Sequence, residues 1–470
     1  MTDGLPMTVR SNLAISARFI LCALLLAACS PGFHSASDGA SSLTPNGRVA
    51  VRMPSTSSSG GKIQHVVIII QENRSFDNLF QGFPNANTAS SGQNSKGETI
   101  KLKPVSLGTQ YVIDHSVAAF LAACNGTGSY PGTDCQMNGF DKEESFGGPS
   151  NPEYVYVPHD ESKPYFDMAH EWVLADNNFQ SHLDESFVGH QYLIAAQASG
   201  SVDLPYDVPW GCAVKDNQVP TLTQKRTIGP NIAPCYDNNT IGQELDAAGL
   251  TWHFYSSVID SGDGVWSAYQ TINKVYNGPD WAKDVITPQT RFFTDLQAGL
   301  LSNVTWITPI CENSDHVNCG GGYGPSWVTA LVDAIGGSPF WDSTAIFVVW
   351  DDWGGLYDHV PPQMLDYDGL GFRVPILMIS PYAKHNHVSH VQYESASILK
   401  FTEDQFGLPR LTNGGADDRS TSPAADCFDF TQAPRPFVPI KAPGAAVRTT
   451  QDLIHFFMMQ PHDGRSPDDE

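Results

Sequence analysis

The spacing of apolar residues sorts this chain into strands, helices and loops. His65-Val66-Val67-Ile68-Ile69-Ile70 is an unbroken, mostly β-branched run closed by polar Gln71-Glu72-Asn73, which predicts a strand buried on both faces and ending at a loop. Further strand-like runs lie at 251–255, 304–309, 345–350 and 375–379. Helical patterns alternate with them at 241–248, 326–335 and 391–406. Tyr165, Met168, Ala169, Trp172 and Val173 recur at helical spacing after Pro164, so a helix with proline in its first turn is expected there. The alternation predicts an α/β fold with a mainly parallel central sheet and helices on both faces. Polar, turn-rich stretches at 83–110 and 142–163 read as surface insertions over the core, placed to shape a substrate cleft.

The N-terminus follows different rules. Arg10 and Arg18 precede an apolar run from Phe19 to Leu25 and then Leu26-Ala27-Ala28-Cys29, the layout of a secretory signal too short to span a membrane as a helix. Small residues ending in Cys29, with Ser30 after it, resemble a lipobox, implying removal of residues 1–28 and acylation of Cys29; plain secretion is the alternative. Residues 29–61 are rich in Ser, Gly, Pro and Thr and read as a flexible tether. Residues 62–411 then form the catalytic domain, because one α/β core can reach this size through loop insertions. Residues 412–470 are a Pro- and Ala-rich extension with one apolar patch at 454–459, expected to wrap the core or to be partly irregular.

Composition narrows the function. Hydrophobic residues make up 41% and charged residues 16%, the balance of a globular protein. With 26 Lys and Arg against 50 Asp and Glu, the formal charge is -24, which argues against nucleic-acid binding through broad phosphate contacts and requires any phosphate site to be local. Export favours disulfides between near neighbours: Cys124 with Cys135, Cys212 with Cys235 and Cys311 with Cys319, leaving Cys427 odd. No cysteine spacing suggests a zinc cluster.

The chemistry gathers at strand ends. Glu72-Asn73 follows the first strand and Asp351-Asp352 the run at 345–350, and open α/β sheets bind ligands beyond the carboxyl ends of their strands. Such oxygen ligands suit Mg²⁺, Mn²⁺ or Ca²⁺, and zinc also accepts carboxylates; the same residues could equally cap helices. Gly354-Gly355 allow a tight turn or a close backbone approach, and His359 beside Asp358 is expected to brace that loop. Ser186, in Asp184-Glu185-Ser186-Phe187-Val188-Gly189-His190, precedes a helical stretch. Alone it is an ordinary cap, but an anion there would meet free N–H groups and the positive end of the helix dipole, with His190 on the same side one turn later.

Two stretches carry a resemblance: 65–77, from His65-Val66-Val67 through Gln71-Glu72-Asn73-Arg74-Ser75-Phe76-Asp77, and 350–362, Trp350-Asp351-Asp352-Trp353-Gly354-Gly355-Leu356-Tyr357-Asp358-His359-Val360-Pro361-Pro362. In this order they resemble the phosphoesterase family that joins phosphatidylcholine-type phospholipases C with a class of acid phosphatases, from about Lys62 to Pro409. The resemblance implies an alkaline-phosphatase-like fold with a divalent metal held by Glu72, Asn73, Asp351 and Asp352, and Ser186 as nucleophile. It also implies that His115 and His316 bind phosphate oxygens or protonate the leaving group, with His190 as a further candidate. Glu185-Ser186-Phe187 and Asp351-Asp352-Trp353 depart from the phospholipase C pattern towards the acid phosphatase branch. The expected function is therefore a phosphomonoesterase acting through a phosphoserine. Phospholipase C activity on phospholipid head groups and a non-catalytic anion-binding lipoprotein are the alternatives. The expected setting is exported, on a membrane through Cys29 or secreted.

Overall fold

The computed structural model describes residues 57–411, 414–442 and 449–467; the expected leader, Cys29 and the expected tether up to residue 56 lie outside them. Eight strands form the central sheet: β1 (His65–Gln71), β2 (Val173–Ala175), β3 (Trp252–Tyr255), β4 (Val285–Ile286), β5 (Val304–Ile307), β6 (Thr344–Trp350), β7 (Ile376–Ile379) and β8 (His387–Ser389). Their order across the sheet is β4-β3-β5-β1-β6-β7-β2-β8. All pairs are parallel except those made by β7, which runs against both β6 and β2. The mainly parallel expectation therefore holds, with one reversed strand inside the sheet.

Every residue of β6, and all of β1 after His65, is buried. Alternate residues point to opposite faces, so both faces of the central strands are covered. The cover includes α1 (Phe76–Phe80), α2 (Lys163–Glu171), α3 (Ser186–Ala195), α4 (Ile241–Ala247), α5 (Gly324–Gly336), α6 (Ser397–Phe406) and α7 (Thr450–Met459). Helix α3 packs against α4 and α6, and α5 against α2 and α7.

Two expected elements end differently. The helix after Pro164 stops at Glu171, and Trp172 and Val173 turn into β2; their burial is met by the sheet instead of a further helical turn. The helix expected over 391–406 begins only at Ser397, because Tyr393–Glu394 pair with Asn178–Phe179 as a short ladder. Residues 57–61, the end of the expected tether, are docked on the body: Ser57 Oγ and the Ser59 N–H both donate to Gln405 Oε1 of α6. In the C-terminal extension α7 lays Phe457 edge-on against Trp327 of α5, with ring centroids 5.1 Å apart. The three expected disulfides are formed, and Cys427 is free and buried.

Candidate active site

Strand register builds the site. In the β1–β6 pair Gln71 is opposite Trp350, so the two acidic clusters leave neighbouring strands at the same level. The Asp351 N–H donates to Gln71 O at 3.1 Å, carrying the ladder one step past the strand end. Asn73 then adopts a left-handed conformation, φ 58°, which asparagine tolerates better than other side-chain-bearing residues except aspartate. Its N–H donates to Asp351 Oδ1 at 3.2 Å, and its Nδ2 donates to Asp352 Oδ2 at 3.1 Å. The turn at Gly354, φ 62°, closes over this corner: a Cβ there would lie 2.4 Å from Asn73 O. The close approach is thus to the protein's own backbone, which only glycine permits.

Ser186 is the first residue of α3 and is buried. Its Oγ lies 3.1 Å from Asp352 Oδ2, 3.3 Å from Glu72 Oε2 and 3.4 Å from Asn73 Oδ1. One helical turn on, His190 Nε2 is 2.9 Å from Glu72 Oε1 and 3.5 Å from Asp351 Oδ2. The sequence expectation that Ser186 and His190 share a face is met, and both address Glu72. Gly189 lets α3 sit close to the strand end, since a Cβ there would be 3.2 Å from Asp351 O.

Three buried carboxylates, Glu72, Asp351 and Asp352, thus surround one hydroxyl and one amide oxygen. Burial works to raise the Asp351 carboxyl, but the His190 charge, hydrogen bonding with Glu72 and Ser186, and the Asn73 N–H together outweigh it and hold it below the usual carboxylate range. Glu72, His190 and Asp351 offer ligand atoms within 4.8 Å of one another. A dense, all-buried set of hard oxygens beside one imidazole carries more negative charge than His190 can balance, so the residues present fit a divalent cation.

A further histidine, His115, meets this cluster, and His316 packs against its ring. His115 Nδ1 lies 3.0 Å from Ile113 O, which places the ring proton on Nδ1 and leaves Nε2 to accept from Asn73 Nδ2 at 2.9 Å. His316 is the opposite tautomer when neutral, because its Nδ1 accepts the Asn318 N–H at 3.2 Å and the proton therefore sits on Nε2. The two rings meet edge-on, centroids 5.8 Å apart.

His316 is delivered by the loop after β5, which is closed by the Cys311–Cys319 disulfide. Asp315 anchors that loop: its Oδ2 accepts from Tyr165 Oη at 2.8 Å and Trp350 Nε1 at 3.1 Å, while Arg74 Nε donates to its backbone carbonyl at 2.7 Å. Burial pushes the Asp315 carboxyl up to about 6, against the pull of Arg74 and these hydrogen bonds. His182 backs α3, its Nδ1 accepting the Asp184 N–H at 3.0 Å, and burial pushes it down to about 4. His359 bridges Asp77 and Asn87, while Asp358 pairs with Arg373. That network fastens the Gly354-Gly355 loop and leaves His359 bracing, as the sequence suggested.

The model of the phosphoesterase family matches residues 63–409. The chain belongs to the phosphoesterase family. Curated relatives in the family include phospholipase C B of Mycobacterium tuberculosis, 25% identical over 441 residues and covering 80% of each chain. Non-specific phospholipase C3 of Arabidopsis thaliana is 24% identical, covering 79% of this chain and 77% of its own. Hemolytic phospholipase C of Pseudomonas aeruginosa is 26% identical over 74% of this chain but only 53% of its own length. Among solved structures, a protein in the alkaline phosphatase superfamily from Vibrio parahaemolyticus overlaps 75% of this chain and 69% of its own, at 13% identity and a TM-score of 0.35. Like other members of the phosphoesterase family, the chain is a phosphoric ester hydrolase, and its three disulfides fit an exported protein.

Sequence reasoning did not single out Arg74, Tyr165, Asp315 or His182. Asp315 adjoins His316 and Arg74 follows Asn73, so adjacency to a candidate was the available signal. Tyr165 carried none, because its place on an apolar helix face reads as core.

Proposed function

We propose that this phosphoesterase attacks phosphorus with Ser186 and that its substrates are phosphodiesters of the phospholipid type. The observation that carries the mechanism is the convergence of Glu72, Asn73 and Asp352 oxygens on Ser186 Oγ within 3.1–3.4 Å. In this reading Glu72, Asn73, Asp351 and Asp352 hold a divalent cation. When bound, that cation supplies polarisation of the phosphoryl oxygens and a lower pKa at the serine hydroxyl.

The chain's own groups perform the rest. Asp352 accepts the Ser186 hydroxyl proton at 3.1 Å and orients the oxygen for in-line attack. His115, fixed by Ile113 O, holds the Asn73 amide so that its oxygen faces Ser186. As the P–O bond to the alcohol breaks, His316 donates an Nε2–H hydrogen bond to the departing oxygen, which takes its proton from solvent water. Water then attacks the phosphoserine and loses a proton to solvent, while Asp352 returns its proton to Ser186 Oγ as the P–O bond to the serine breaks. His190 acts here as the cationic partner of Glu72 and Asp351.

The phospholipase C relatives favour a lipid substrate. The second reading, phosphomonoesterase, is favoured by Glu185-Ser186-Phe187 and Asp351-Asp352-Trp353, the stretches that depart from the phospholipase pattern. Parallel assays on phosphatidylcholine vesicles and p-nitrophenyl phosphate separate them. Diacylglycerol release well above phosphate release is expected; phosphate release alone would make the enzyme a monoesterase, and neither would leave an anion-binding protein. The same reading keeps residues 1–28 as a leader and an acylated Cys29 as the membrane anchor of the catalytic domain, residues 62–411. The mass of the mature N-terminal peptide checks it, and an unmodified Cys29 would leave a secreted enzyme.

A further inference from the structure

After α7 the chain runs as a strap, Pro461 to Pro467, across the loop that carries His316, and this strap lies beyond the family's matched region of 63–409. His462 Nε2 is 2.8 Å from Asp263 Oδ2, and that same buried oxygen accepts the Cys311 N–H at 3.1 Å. The Asp463 N–H donates to Glu312 Oε1 at 3.0 Å, and Asn318 Nδ2 donates to Pro467 O at 3.0 Å. The strap therefore holds both ends of the Cys311–Cys319 loop, and Asn318 is also the residue whose N–H fixes His316 Nδ1.

Gly262 completes the fit. Its N–H donates to Gly464 O at 3.0 Å, and a Cβ on it would lie 2.1 Å from Ser466 N, so the strap's backbone rests directly on the glycine. The same short turn ends at Trp266, whose ring stacks with that of His190 at 6.3 Å between centroids. One small segment thus reaches the surroundings of His316 and, through Trp266, of His190.

We propose that the strap is a clamp on the His316 loop and that His462 is its positioning residue, so that full turnover needs the His462–Asp263 contact. The groups facing His462 are Asp263 from the 261–266 turn, Glu312 from the loop and Asp463 from the strap, with Asp452 and His455 of α7 lining the same cavity. The hydrogen bond to Asp263 raises the His462 pKa above 6.5; burial opposes it, and the charges of Asp263, Glu312 and Asp463 assist. Because the folded-state value is raised, the charged pair is complete below 6.5 and is lost as pH rises through the folded-state pKa, which lies above 6.5. The clamp is accordingly tight in acid and loosens towards alkaline pH.

The inference rests on the role given to His316, so two readouts are needed on the full chain. In kcat–pH profiles, His462→Ala should turn over about tenfold more slowly than wild type at pH 5.5 with KM little changed, the two converging once pH has risen through the folded-state pKa of His462. His462→Arg, charged throughout, should restore the acid activity and hold it to higher pH. The second readout avoids turnover: the rate at which a mild thiol reductant opens Cys311–Cys319, followed by peptide mass, should be faster in His462→Ala than in wild type at pH 5.5. Unchanged opening would overturn the clamp. Faster opening with unchanged turnover would instead overturn the assignment of His316, and failure of arginine to restore either readout would overturn the charged contact as the cause.

Discussion

Replacing Ser186 with alanine is expected to lower kcat by roughly 10³-fold or more while the protein stays folded and still binds inorganic phosphate. The fold should survive because Ser186 is the first residue of α3, after the N-cap Glu185, and alanine fits a helix there. Its hydroxyl contacts only the acidic corner, at 3.1–3.4 Å, so removing it takes away the attacking oxygen and leaves the anion site in place. Rapid acid quench of wild-type enzyme with substrate should trap phosphate on the Ser186 peptide, and the variant should show no such label. A variant with near-normal turnover, or label on His115 or His316, would replace the serine mechanism with direct hydrolysis or a phosphohistidine.

The parts of this site legible in the sequence are those fixed by local rules. Glu72-Asn73 and Asp351-Asp352 announced themselves because each follows a continuous apolar run, and a strand buried on both faces leaves its first polar residues at the sheet's carboxyl edge. Ser186 and His190 were legible as a helix start and its next turn. What the sequence could not show was register. Whether Asp351 stands beside Asn73 or two residues away depends on Gln71 pairing with Trp350, a long-range choice set by packing. The reversed β7 was hidden for the same reason, since an apolar run carries no direction.

The strap was hidden differently. Residues 461–467 have no apolar period, and their contacts are made by single polar atoms and by backbone resting on Gly262. Such contacts leave no pattern along the chain. His316 was found through resemblance, yet the groups that fix its tautomer, Asn318 and the disulfide-closed loop, became visible only in three dimensions.

Removing the divalent cation should cost both turnover and stability, and the two losses should share one origin. Glu72, Asp351 and Asp352 are all buried around Ser186, and two like charges about 4 Å apart repel by roughly 4 kcal/mol at an effective dielectric of 20. His190 offsets part of that repulsion through Glu72 and Asp351; a bound cation would offset the rest. A ligand present at about 100 times its Kd adds roughly 2.7 kcal/mol to folding stability, so chelation should lower Tm by several degrees as kcat falls towards zero. Asp351→Asn separates this site from any other cation. The amide still accepts the Asn73 N–H but removes one buried charge and one anionic ligand, so phosphate binding and turnover should both weaken. The Tm of that variant should respond little to chelator. If chelation lowers Tm equally in wild type and Asp351→Asn, the stabilising cation is bound elsewhere; if it changes neither Tm nor turnover, the acidic corner works without a metal.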